Sequence, residues 1–132
     1  MDPTTVIGVQ DLFAQYAHTI DGRDFDGFGA LFTADAEYSL AGNAQRGRDA
    51  IKDFMRSVMT SPGGAHIITN VSVRSAVDGA GDGSCAAVAD YLLTRRPEPD
   101  APFAVIGVGK YDGTVVLDDG TWRFATLTIT PQ

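Results

Sequence analysis

The chain holds two histidines, His18 and His66, and one cysteine, Cys85. Imidazole is the side chain best suited to moving protons near neutral pH. His66 stands in the stretch PGGAHIITN, Pro62 to Asn70. Pro62, Gly63 and Gly64 are turn residues, and Ile67, Ile68 and Thr69 are strand formers. An imidazole that opens a strand just past a flexible turn is either a surface histidine beside that turn or, given a partner that orients it, a base. Asn70 lies four residues on, and strand alternation sets it on the face of His66. There it either orients the imidazole or donates to an oxyanion, or is a plain strand-edge amide. His18 lies roughly 200° around a helix from Tyr16, which points it away from the core side and leaves it exposed. Cys85, within the apolar run GSCAAVADYLL, reads as a small buried hydrophobe rather than a nucleophile. No His/Cys/Glu cluster has metal-ligand spacing, so no metal is expected. The glycines of GVGKYDG (107–113) fall within strand periodicity and do not form a phosphate loop.

The elements that position these residues follow from periodicity. Pro3 with Thr4 or Thr5 suits a helix start. Val6, Val9, Phe13, Tyr16 and Ile20 then recur at spacings of three and four, with Leu12 and Ala17 widening the stripe. Gly22 is expected to cap that helix, and Asp24 to open a short second one carrying Phe25, Phe28, Leu31 and Phe32. Asp35 fits a turn. AEYSLAG (36–42) reads as a short strand, and GRDAIKDFMRSVM (47–59) as a third helix with Ile51, Phe54, Met55 and Val58 on one face. Past the SPGG turn come four strands, at 66–77, 84–95, 103–117 and 121–130. The Asp- and Gly-rich stretches DGAGDG and DDG between them read as hairpin turns. RRPEPDAP (95–102) is either a loop over a site mouth or a plain connection. Helices first and antiparallel strands after make an α+β fold. A strongly twisted sheet with three N-terminal helices on one face closes into a cone with a pocket.

The chain has 132 residues, which fits one domain spanning 1–132. Seventeen acids against ten bases give a net charge of −7. That balance argues against nucleic acid, which needs a basic face, and against anionic membranes. No apolar run reaches the ~18 residues of a membrane span, and the first ten residues show no signal-peptide pattern. A cytoplasmic protein is the expectation.

The order of elements, with these residues on it, resembles the SnoaL-like branch of the nuclear-transport-factor-two-like superfamily. The carrying stretches are YAHTIDGRDFDGFGALFTADAEY (16–38), RGRDAIKDFM (46–55), GAHIITN (64–70), GVGKYDGTVV (107–116) and DGTWRF (119–124). Family dehydratases and dehydrochlorinases use an Asp at the end of the first helix and a His opening a strand. Asp21 and His66 match those positions, and Thr69 and Asn70 complete an H-x-x-T-N pattern. Tyr16 matches a pocket tyrosine of several dehydratases. The chain departs from ketosteroid isomerases, with Leu40 where their base Asp stands, and lacks the Asp-Arg-Asp set of limonene-type epoxide hydrolases. No histidine follows His66. Thr126 and Leu127 fall where many relatives carry a late basic residue.

The resemblance implies a cofactor-free lyase or isomerase acting on a small, mostly apolar, oxygenated molecule. His66 would take a proton, Asp21 would orient and charge-balance it, and Tyr16 would stabilise an oxygen. Asn70, Trp122 and Phe124 are expected to contact substrate. Trp122 and Phe124 fit core or pocket wall better than a specific binding box. The alternatives are a polyketide-type cyclase of the same fold and a non-catalytic ligand-binding or dimerisation module. Ile67, Val71, Val73 and Val77 alternate on the face opposite His66, and a second copy packed there would make a homodimer.

Overall fold

A computed structural model describes residues 2–60, 63–75 and 83–132. Helix α1 spans Pro3–Asp21. Its N-cap is Asp2, whose carboxylate accepts from the Thr4 N–H at 2.8 Å. Pro3 fits the first turn because its missing N–H would have had no partner there. Val9, Leu12, Phe13, Tyr16 and Ile20 form the buried stripe. Gly22 caps the helix by donating to the His18 carbonyl at 3.0 Å, yet its φ is −82°. The left-handed residue is Arg23, at φ 58°. Asp24 then caps α2 (Phe25–Gly29), accepting from the Gly27 N–H at 2.9 Å.

Phe32, expected on α2, opens strand β1 (Phe32–Leu40) instead. Ala41 and Gly42 both take positive φ, 50° and 86°. They form a two-residue hairpin turn into β2 (Asn43–Arg46), which alternation alone did not reveal in so short and exposed a segment. Helix α3 (Arg48–Val58) buries Ile51 and Met55. Val58, expected on that face, is 44% exposed at the helix end. Lys52 ties α3 to Asp26 of α2 at 2.7 Å, and Arg48 donates to the Phe32 carbonyl at 2.7 Å.

The remaining strands are β3 (Gly64–Ser75), β4 (Ser84–Arg95), β5 (Ala104–Asp118) and β6 (Thr121–Pro131). They lie close to the expected ranges. Val77, Ser61, Pro62 and all of the DGAGDG turn but Gly83 fall outside the described residues. The six strands form one curved sheet in the order β2-β1-β6-β5-β4-β3. Every neighbouring pair is antiparallel except β1 and β6, which run parallel. No hairpin joins those two, so no tight turn forces them to reverse.

One irregularity decides which residues face the helices. Thr69 pairs with Asp90 and Ser72 with Val88, so Asn70 and Val71 together oppose Ala89. This is a β-bulge, with Asn70 left-handed at φ 54°. The extra residue reverses the alternation. His66 and Ile68 face the helices before the bulge, and Val71 and Val73 face them after it. Val71 and Val73 therefore pack on the core, not on the outer face where strict alternation put them. The outer apolar row is instead Ile67, Leu92 and Val108, paired across β3, β4 and β5.

The space between α1 and the sheet is filled with rings. Tyr16 packs edge-on to Phe28 and Tyr111, with centroids 5.1 and 5.2 Å away, and Phe13 meets Phe124 at 5.2 Å. Cys85 is buried as expected, and burial pushes its thiol pKa up.

Candidate functional site

Asp21 is the last residue of α1, and His66 is the third of β3. The end of the helix stacks over the opening of the strand, and the two side chains meet. Asp21 Oδ1 lies 2.6 Å from His66 Nδ1. The same carboxylate accepts the His66 main-chain N–H, at 3.2 Å to Oδ1 and 3.0 Å to Oδ2. One carboxylate thus grips both the ring and the backbone of the histidine, which removes the ring's freedom to swing. The pair is mostly shielded, with side-chain exposures of 10% for His66 and 24% for Asp21. With the ring proton on Nδ1, facing the carboxylate, Nε2 carries the lone pair. Nε2 makes no hydrogen bond among the described residues. An imidazole held in this tautomer can serve as an oriented general base.

Two cavities adjoin the pair. A mouth of about 150 Å³ opens between Asp21, His66 and the ends of α3, β4 and β5. Val58, Met59, Leu93 and Ile106 form its apolar wall, and Arg23 and Arg95 also line it. On the other side, a shallower groove of about 580 Å³ runs between α1 and β3, past Ala14, Ala17, His18 and Ile68. His18 is exposed, as its helix position implied, but it borders this groove.

The other expected site residues lie elsewhere. Tyr16 is 2% exposed, and its hydroxyl is 2.8 Å from that of Tyr38. Its ring sits edge-on to His66 with centroids 6.4 Å apart, yet it lines neither cavity. The stripe that carries Tyr16 faces the core, so the hydroxyl is turned inward. Burial raises the pKa of Tyr16, Tyr38 and Tyr111, and all three stay neutral phenols. Asn70 borders the α1–β3 groove, but its amide donates to Asp90 Oδ2 at 2.9 Å, because the bulge turns it from the His66 face. Phe124 is fully buried. Trp122 packs against the core near Gly8, where a Cβ would come within 2.6 Å of the indole. Gly8 is thirteen residues before Asp21 on α1, about 20 Å along the helix, so Trp122 stands far from the pair.

Sequence reasoning missed Arg23 and Arg95. Arg23 stood in DGRD, read only as a helix break, and Arg95 opened the loop RRPEPDAP. Their shared mouth is visible only once α1, β3 and β4 are together. Among the described residues, no group of three or more His, Cys, Asp or Glu is placed to hold a metal ion. No helix among them is long and apolar enough to cross a membrane.

A family model for a SnoaL-like domain matches residues 6–128. No curated protein matches the chain. Solved structures do. Aln2 from a Streptomyces species is 25% identical with a TM-score of 0.85, over 98% of this chain and 91% of that one. A candidate scytalone dehydratase from Novosphingobium aromaticivorans is 25% identical with a TM-score of 0.80, over 98% of this chain and 85% of that one. A Mycobacterium tuberculosis protein of unknown function shares the fold at 23% identity and TM-score 0.85, over 99% of this chain and 78% of that one.

Proposed function

The chain belongs to the SnoaL-like domain family, and on that premise we propose that it is a lyase or isomerase in which His66 removes a proton from a small, mostly apolar, oxygenated molecule. The observation that carries this reading is the 2.6 Å contact between Asp21 Oδ1 and His66 Nδ1 at the wall of an open mouth. The likeness to a candidate scytalone dehydratase supports the lyase class.

In this reading His66 Nε2 takes a proton from a carbon next to an activating oxygen. Asp21 balances the charge of the imidazolium without taking the proton. The imidazolium then returns that proton. Delivered to a departing hydroxyl, it leaves as water and a carbon–carbon double bond remains. Delivered to another carbon, it gives an isomer. Neither route needs an added reactant. A cyclase variant would direct the same carbanion to an internal carbonyl.

The partner we propose is a second copy, packed on the outer face of the sheet. Ile67, Leu92 and Val108 stand side by side there and are 47%, 37% and 41% exposed. Beside them run Asp90 and Lys110, paired at 2.7 Å. An apolar row flanked by both signs of charge suits a self-complementary contact.

Two measurements test the catalytic reading. ¹⁵N spectra of the imidazole should show the proton on Nδ1 and none on Nε2. In D₂O, small ketones and hydroxyketones should gain deuterium next to the carbonyl faster with the wild type than with His66→Gln. A proton on Nε2 and a bare Nδ1 would overturn the assignment of His66 as base.

A further inference from the structure

The chain carries net negative charge, yet the described residues that line the His66 mouth include one acid and two arginines. Among the described residues, Arg46 pairs with Glu37, Lys52 with Asp26, Arg56 with Asp53, Lys110 with Asp90 and Arg123 with Asp118. Arg48 is spent on the Phe32 carbonyl. The Arg95 side chain makes no hydrogen bond or ion pair among the described residues, and it stands at the mouth. Arg23 stands there too, steadied by donation from Nη1 to the Ile20 carbonyl at 2.8 Å. Asp21 is the one acid among the described residues that line the mouth, and its carboxylate is already engaged with His66.

The backbone adds to this. Arg23 holds φ 58°, a conformation that glycine enters without strain and arginine does not. A glycine there would relieve the strain and remove the guanidinium. Across the mouth, Val58, Met59, Leu93 and Ile106 offer only apolar surface. A cavity of this volume is about the size that takes up benzene when its walls are apolar.

We propose that the mouth selects a small apolar molecule bearing a carboxylate, with Arg95 and Arg23 holding the carboxylate and the apolar wall holding the body against His66. This deepens the reading of His66 as a base, and rests on it for the identity of the site. The guanidinium fork matches a carboxylate with two parallel hydrogen bonds, so it fixes orientation as well as charge. Anchoring the ligand at the rim leaves its apolar part facing Nε2.

Benzoate and benzamide test this, since they share a shape and differ in charge. Each is titrated into ¹⁵N-labelled protein at mildly alkaline pH while the Gly64 and His66 amides are followed. Benzoate should bind roughly tenfold tighter than benzamide, the scale of a hydrogen bond to a charged group. Arg95→Gln should bring that ratio close to one, Arg95→Lys should restore part of it, and Arg23→Gln should lower it. Benzamide binding should not change in any of them. Arg95 lies at the exposed end of its strand, so its variants keep the test standing if the Arg23 variant fails to fold.

Benzoate binding no tighter than benzamide, or shifting amides away from the mouth, overturns the proposal. So does a preference that survives Arg95→Gln combined with Arg23→Gln. A preference lost in His66→Gln but kept in the arginine variants assigns the anion to the imidazolium, which overturns the arginine site and leaves the base reading intact. A preference lost with the arginines alongside a proton found on Nε2 does the reverse: the anion site stands and the base reading fails.

Discussion

His66 is held by a carboxylate that reads its backbone as well as its ring. Removing either member of such a pair removes the function of both. His66→Gln and Asp21→Asn should each lower turnover by about 10²–10⁴-fold, the scale of general-base catalysis. The double variant should be little worse than either single one, because the two act as a unit. Steady-state rates on the first substrate found would show it, and additive losses would argue for separate roles. Tyr16 should behave differently. Its hydroxyl meets Tyr38 inside the core, so Tyr16→Phe leaves the Tyr38 hydroxyl without that partner. A cost of about 1–3 kcal/mol in urea unfolding is expected, with turnover nearly unchanged.

At the scale of elements, β3 carries His66, and its start and its middle are constrained in different ways. A Cβ on Gly64 would come within 2.2 Å of the Thr94 carbonyl oxygen. That neighbour is backbone and cannot step aside. Gly64→Ala should therefore cost about 1–3 kcal/mol, as other overpacked sites do, and displace His66 from Asp21. Thermal melts and the imidazole ¹⁵N shifts together would register both effects. Further along, the bulge depends on a left-handed residue at position 70. Asn70→Val, with a branched Cβ, should destabilise by about 1–2 kcal/mol, whereas Asn70→Gly should be far milder. If valine is tolerated as well as glycine, the bulge does not hold that conformation in solution.

At the scale of the whole molecule, the buried tyrosines set the response to alkali. Burial raises the pKa of Tyr16, Tyr38 and Tyr111, and the charge of Asp21 adds to the rise at Tyr111. In the unfolded chain all three would ionise near pH 10. Above that point the folded state holds protons that the unfolded state has lost, so stability falls as pH rises. Below it the contribution is fully present. The slope should reach about 1.4 kcal/mol per pH unit for each tyrosine. Urea midpoints taken across the alkaline range would reveal it, with the tyrosinate absorbance of these three, as distinct from Tyr91, appearing only as the protein unfolds. Assembly is tested separately. Light scattering should give twice 13.9 kDa, and Leu92→Lys should return the monomer mass without loss of fold. A monomer from the unmodified chain would count against the outer-face contact.

The sequence by itself determined the elements and their faces wherever a local rule governed them. The α1 stripe from Val9 to Ile20, the Asp24 cap, the Asp119–Gly120 hairpin and the four long strands follow from spacing and turn chemistry, which act over a few residues. The motif match to the family brought Asp21 and His66 forward, forty-five residues apart. The tertiary structure decided what depends on register and crossing. The bulge at Asn70 reverses alternation for everything after it, so Val71 and Val73 turn inward and Asn70 turns to Asp90. The parallel pairing of β1 with β6 joins segments that no turn connects. Tyr16 sits on the predicted stripe, but only the packing of α1 against Tyr38 and Tyr111 shows that its hydroxyl is sealed from the mouth. Arg23 and Arg95 belong to a helix end and a strand end that are neighbours only in space. Local chemistry is written in adjacent residues; a site mouth is made of whatever the fold sets side by side.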